Sequence, residues 1–182
     1  MRLNRLRWSI PVAAALAAVL VGVSANPAHA DSFFYANFVH RNTSPDQCLD
    51  LRGEDSFSVQ TWECVHNANQ AWRLTFVTSG TGGRAVYQVI NKRNQRCLGI
   101  QANSLNAGAL AQVQPCSIST TTLTQLWYKN GTLFGSTLYS TFVNFYSGYC
   151  LDVRNNFGGN AAVVQQYYCN GSDAQLWRDQ VA

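Results

Sequence analysis

The chain has 182 residues, 47% of them hydrophobic and only 12% charged, with six cysteines and a formal net charge of +4 at pH 7. Three of the cationic side chains, Arg2, Arg5 and Arg7, fall in a leader read at residues 1–30, and without it ten cationic residues face nine acidic ones, a net of about +1. That balance excludes a nucleic-acid binder built on a basic face, and taking 30 residues from 182 leaves 152, a length that suits one domain with a real core.

In the leader, the three arginines form the charged end, residues 10–23 the apolar stretch and Ala28-His29-Ala30 a small-x-small cleavage site. This is the pattern of a secretory signal cut after Ala30. The apolar stretch contains Pro11 and is shorter than the ~20 residues a membrane helix needs. No later segment approaches that length, so no membrane span is expected. No paired arginines precede the apolar run, which favours the Sec route over twin-arginine export. The expected location is extracellular.

The rest of the chain repeats with a period of about 50 residues. The first unit carries Phe38-Val39-His40, then Cys48-Leu49-Asp50, a second cysteine at Cys64, and Gln70-Ala71-Trp72. The second carries Val89-Ile90-Asn91, Cys97-Leu98-Gly99, Cys116 and Gln125-Leu126-Trp127. The third carries Phe142-Val143-Asn144, Cys150-Leu151-Asp152, Cys169 and Gln175-Leu176-Trp177. The units run over about residues 35–80, 81–132 and 133–180 of a domain at 31–182. Each is too small to bury its own apolar face, so the three share one core.

Six cysteines in a small exported chain imply three disulfides among 15 possible connectivities. The internal spacings of 16, 19 and 19 predict Cys48–Cys64, Cys97–Cys116 and Cys150–Cys169, one bridge per unit. A zinc site competes poorly, since there is no C-x-x-C and the mature chain holds only His40 and His66. No metal and no cofactor is expected.

Local patterning is β throughout. Runs rich in Val, Phe, Tyr and Thr, such as residues 85–90 and 137–145, alternate with turn signals at Gly80-Thr81-Gly82-Gly83, Asn130-Gly131 and Gly158-Gly159. Three units of about four strands close most naturally into a pseudo-threefold all-β barrel with hairpin caps, which leaves no exposed sheet edge.

The repeated Cys-Leu-Asp, Cys and Gln-x-Trp elements resemble the ricin B-chain-like β-trefoil lectins and the related carbohydrate-binding modules of bacterial glycoside hydrolases, over about residues 35–180. The resemblance implies a β-trefoil lectin with up to three shallow sugar pockets, for galactose-type or plant-polysaccharide glycans. Each pocket needs an aromatic platform for the C–H face of a pyranose and convergent donors and acceptors for its hydroxyls. The implied set is complete in the first repeat: Asp50, Gln60, Trp62, Asn69 and Gln70. The third keeps Asp152, Gln165, Tyr167 and Gln175 but has Ala174 for the asparagine, with Asn170 and Asp173 as nearby substitutes. The second has Gly99, Gln114 and Thr124 in place of the acid, the aromatic and the asparagine, and keeps only Gln112 and Gln125, so it is expected to serve as scaffold. Trp72, Trp127 and Trp177 recur in every unit and are expected in the core.

Catalysis is not expected: neither histidine neighbours a nucleophile motif, and there is no Gly-x-Ser-x-Gly or phosphate loop. Asp50 and Asp152, on separate repeats, are expected to lie beyond the ~5–10 Å that a glycosidase pair uses. The competing function is a non-catalytic accessory subunit or inhibitor that holds a separately encoded protein partner, for which Phe33-Phe34-Tyr35 and the degenerate second repeat leave room.

Overall fold

The computed structural model describes residues 34–41, 43–119 and 122–182; the leader read at 1–30 lies outside them. Among the described residues twelve strands form, four to each repeat unit. The first unit gives β1 (Ala36–His40), β2 (Gln47–Leu51), β3 (Val59–Glu63) and β4 (Trp72–Ser79). The second gives β5 (Ala85–Asn91), β6 (Cys97–Ile100), β7 (Ala111–Gln114) and β8 (Trp127–Phe134). The third gives β9 (Thr137–Asn144), β10 (Cys150–Val153), β11 (Ala162–Tyr167) and β12 (Trp177–Val181). Among the described residues the only helical elements are three-residue 3-10 turns, and the chain is an all-β trefoil.

Six strands close a ring. Three long antiparallel pairs, β4–β5, β8–β9 and β1–β12, are joined by short contacts at Ala36 with Trp72, Tyr87 with Trp127 and Ser140 with Trp177. The hairpins β2–β3, β6–β7 and β10–β11 cap one end. Their second strands meet one another through Ala162 with Thr61, Ser58 with Gln112 and Leu110 with Gln165. In β9 the pleat is visible in burial: Ser140, Phe142 and Asn144 point inward and the residues between them are partly exposed.

Each repeat packs the same residues into one core. Phe38 and Phe142 meet with ring centroids 4.8 Å apart, and Val89 holds the corresponding place in the second repeat. Trp72, Trp127 and Trp177 are fully buried in that core, as the repetition predicts. Their indole N–H groups donate to the carbonyls of Leu49 (2.8 Å), Leu98 (2.9 Å) and Leu151 (3.4 Å), so a large aromatic is buried without stranding its one polar atom. The disulfides are Cys48–Cys64, Cys97–Cys116 and Cys150–Cys169, with Cα separations of 5.1, 4.9 and 5.1 Å. Each staples the start of a capping hairpin to the loop that follows it.

The repeats are stitched at the ends of the ring strands. Asn91, closing β5, donates to the Asn69 carbonyl at 2.9 Å; Asn144, closing β9, donates to the Thr124 carbonyl at 2.8 Å. His40 closes β1 at the same place in the first repeat, buried against Trp177. Burial is the main cause that pushes its pKa below the ordinary histidine value.

Truncating a core indole creates a cavity and leaves a leucine carbonyl unpaired. Trp127→Ala is expected to cost about 3–5 kcal/mol of stability, read as a lowered urea midpoint with the disulfides intact.

Candidate functional site

The β2–β3 hairpin builds the first site. Asp50 and Gln60 are cross-strand partners, and Gln60 Nε2 donates to Asp50 Oδ1 at 3.0 Å. Trp62 lies two residues further along β3 and so shares the face of Gln60; the residue is 40% exposed. Asn69 enters from the loop after Cys64. Together Asp50, Gln60, Trp62 and Asn69 line an open depression of about 230 Å³ with Arg52, Gly53, Glu54, Val65 and Asn67.

The β10–β11 hairpin repeats the arrangement. Gln165 Nε2 donates to Asp152 Oδ1 at 2.8 Å, across the same cross-strand pair. Tyr167, also 40% exposed, takes the place of Trp62. These three line a depression of about 450 Å³ with Arg154, Asn155, Asn156 and Asn170. Of the two substitutes for the missing asparagine, Asn170 is in the lining, its Oδ1 accepting from Ser172 N–H at 2.9 Å. Asp173 instead makes an ion pair with Arg41 at 2.8 Å. The first depression is smaller than the ~300–1,000 Å³ of drug-sized pockets, and the one in the third repeat lies at the low end of that range.

The second repeat spends the same positions on itself. Gln114 donates to the Ile100 carbonyl at 2.8 Å, and Thr124 donates its hydroxyl to Asn103 Oδ1 at 2.7 Å. A Cβ on Gly99 would stand 3.0 Å from the Gln125 side chain, so an acid cannot be restored there without moving the glutamine.

Gln70 and Gln175, expected to touch a sugar, are fully buried and line neither depression. Gln70 Oε1 accepts from the N–H groups of Val65 and His66 at 2.8 and 3.1 Å, and its Nε2 donates to the Glu63 carbonyl at 2.9 Å. Gln175 accepts from Asn170 N–H at 3.0 Å and donates to the Tyr168 carbonyl at 2.8 Å and to Asp152 Oδ2 at 3.0 Å. Gln125 plays the same part in the second repeat, between Ser117 N–H at 2.9 Å and the Pro115 carbonyl at 3.0 Å. The glutamine of Gln-x-Trp therefore ties down the loop after the second cysteine in all three units, and in the first and third it also holds the carboxylate.

Burial pushes the carboxyls of Asp50 and Asp152 above the ordinary carboxylate range, while the glutamine donors and, more weakly, Arg93 and Arg154 pull the other way. The outcome is a pair of carboxylates held in place and partly stripped of water, each with an aromatic ring beside it.

The spacing of the repeats did not point to Arg52, Arg154, Asn155 and Asn156, although one signal was available: an arginine stands two residues after the acid in the first and third repeats and not in the second, which has Gln101. Arg154 Nε donates to Gln165 Oε1 at 2.8 Å, so it fixes the outer end of that amide. Among the described residues no cluster of three or more His, Cys, Asp or Glu side chains is placed to hold a metal.

Comparison with solved structures gives a designed threefold-symmetric protein, ThreeFoil, at 27% identity and a TM-score of 0.67, over 81% of this chain and 98% of that one. The Macrolepiota procera ricin B-like lectin in complex with lactose aligns at 15% identity and a TM-score of 0.64, over 81% and 95%. The C-half of the earthworm R-type lectin in complex with GalNAc aligns at 15% identity and a TM-score of 0.55, over 82% and 99%. Comparison with curated proteins finds no match. The family described as ricin-type beta-trefoil lectin domain-like matches over residues 35–114, 68–156 and 123–182, overlapping spans that take in every strand. With every repeat covered, the chain is a member of the ricin-type beta-trefoil lectin domain-like family.

Proposed function

We propose that this chain is a secreted, non-catalytic carbohydrate-binding protein that takes galactose-type or plant-polysaccharide glycans in its first and third repeats. One observation carries the reading: the same group, a carboxylate held by a cross-strand glutamine beside an aromatic residue that is 40% exposed, stands in an open depression twice in one molecule. An ionised carboxylate accepts from two neighbouring sugar hydroxyls, and the ring receives the C–H face of the pyranose. Export with cleavage after Ala30 belongs to the same reading, and the three disulfides fit an oxidising compartment.

Retention of the mature protein on immobilised galactose or xylan, with release by free sugar, tests the reading directly. A glycan array on which nothing binds would overturn it and leave the protein-partner function. Trp62→Ala is expected to weaken the first site about tenfold with little change in melting temperature. Calorimetry with a monovalent sugar is expected to count about two sites in the parent and one after either Asp50→Ala or Asp152→Ala. On a polymeric glycan, where linked sites reinforce each other by about 100-fold, the double variant is expected to lose binding altogether.

The raised carboxyl pKa values set a pH dependence with opposite signs for binding and stability. Sugar affinity is expected to fall on acidification from about pH 7 to about pH 4, starting above the ordinary aspartate range, as the acceptors become protonated. A carboxyl whose folded pKa is raised stabilises the fold most below its unfolded pKa, and that contribution is lost as pH rises through the folded value. Melting of Asp50→Asn against the parent across that range reads the second effect, and calorimetry reads the first.

A further inference from the structure

An asparagine amide is nearly symmetric in shape, and either its oxygen or its NH2 group can face a ligand. At Asn69 the choice is made by a residue of another repeat. Arg93, in the turn after β5, donates from Nη1 to Asn69 Oδ1 at 3.1 Å. A guanidinium has five donors and no acceptor, so the atom facing it is the oxygen and Nδ2 is turned away. A Cβ on Gly53, which lines the first depression with Asn69, would lie 3.7 Å from Asn69 Nδ2 and 3.4 Å from Arg93 Nη1.

Both ends of this contact are anchored. The Asn69 carbonyl accepts from Leu51 N–H at 3.0 Å and from Asn91 Nδ2 at 2.9 Å, and its N–H donates to Asn67 Oδ1 at 2.9 Å. Arg93 donates its own N–H to Asn91 Oδ1 at 3.0 Å. Asn91 therefore holds the asparagine by its backbone and positions the arginine that holds its side chain.

We propose that Arg93 is a positioning residue that determines specificity at the first site: it presents the Asn69 NH2 group to the ligand, so this site selects sugars that place an acceptor oxygen there. The proposal rests on the sugar-binding reading. The third site has Ala174 in place of Asn69 and draws its amide from Asn170, whose oxygen is held by Ser172 N–H rather than by an arginine. The amide of the first site is thus oriented by a side chain of a neighbouring repeat, and that of the third by backbone of its own loop.

The test uses the mature protein carrying Tyr167→Ala, which removes the platform of the third site. It is titrated with methyl β-galactoside, methyl β-xyloside and their monodeoxy and monodeoxyfluoro derivatives. Fluorine accepts a hydrogen bond and cannot donate one; hydrogen does neither. At one ring position the fluoro sugar is expected to bind about fivefold more tightly than the deoxy sugar. That ratio is expected to fall toward one in Arg93→Met and in Asn69→Asp, to persist in Arg93→Lys, and to do so at an unchanged melting temperature. If the parent binds but the ratio survives Arg93→Met, or if it falls only in step with lost stability in all three variants, Arg93 does not position the amide. If the parent binds neither glycoside series, the sugar-binding reading falls and this proposal with it.

Discussion

One contact made three times organises the molecule: the indole N–H of each Gln-x-Trp tryptophan donating to the leucine carbonyl of Cys-Leu-Asp or Cys-Leu-Gly. It satisfies the only polar atom of the largest core side chain and ties the end of each repeat to its capping hairpin. Because the gripped carbonyl belongs to the residue before the acid, the position of Asp50 or Asp152 is set from inside the core. The disulfide fixes the same segment from the outside, through the cysteine just before that leucine. The exposed site is thus a by-product of how the interior is closed.

The glutamine before the tryptophan extends this logic. Buried and saturated with hydrogen bonds, it closes the loop that supplies Asn69 in the first repeat and Asn170 in the third. In the second repeat the same glutamine does the same work with no carboxylate in front of it, and Gln114 has settled into the space. Scaffold and site are separable: the framework keeps its shape whether or not a repeat retains the groups a sugar needs. A fold with that property tolerates loss of one site while the other two change independently.

Much of this was legible in the sequence because the repeat is written in residues with strong physical preferences. Cysteine spacing was enough for the bridges, and tryptophan recurring at one place in every unit was enough for the core. The acid, the strand glutamine and the exposed aromatic were also legible, because strand alternation puts them on one face. The direction of an amide was not. Gln70 and Gln175 have the chemistry of a sugar contact, and only the fold shows that loop backbone and the neighbouring carboxylate consume it. Arg93 was invisible for another reason: it acts across a repeat boundary, and a pattern read within units carries no information about contacts between them. Asn155 and Asn156 lie in an exposed 3-10 turn, both at positive φ, a local backbone conformation that no periodicity announces.

The ring closes where β1 pairs with β12 over five residues, from Ala36 with Val181 to His40 with Trp177, and Ala182 N–H donates to the Tyr35 carbonyl at 3.2 Å. That seam is of the same kind as β4–β5 and β8–β9, which are covalent hairpins. The cycle of strands therefore has no physical starting point, and the gap in the chain occupies one of three equivalent places. A circular permutant joined across β12 and β1 and opened at the turn Thr81–Gly83 keeps every strand contact while moving the break by one third of a revolution.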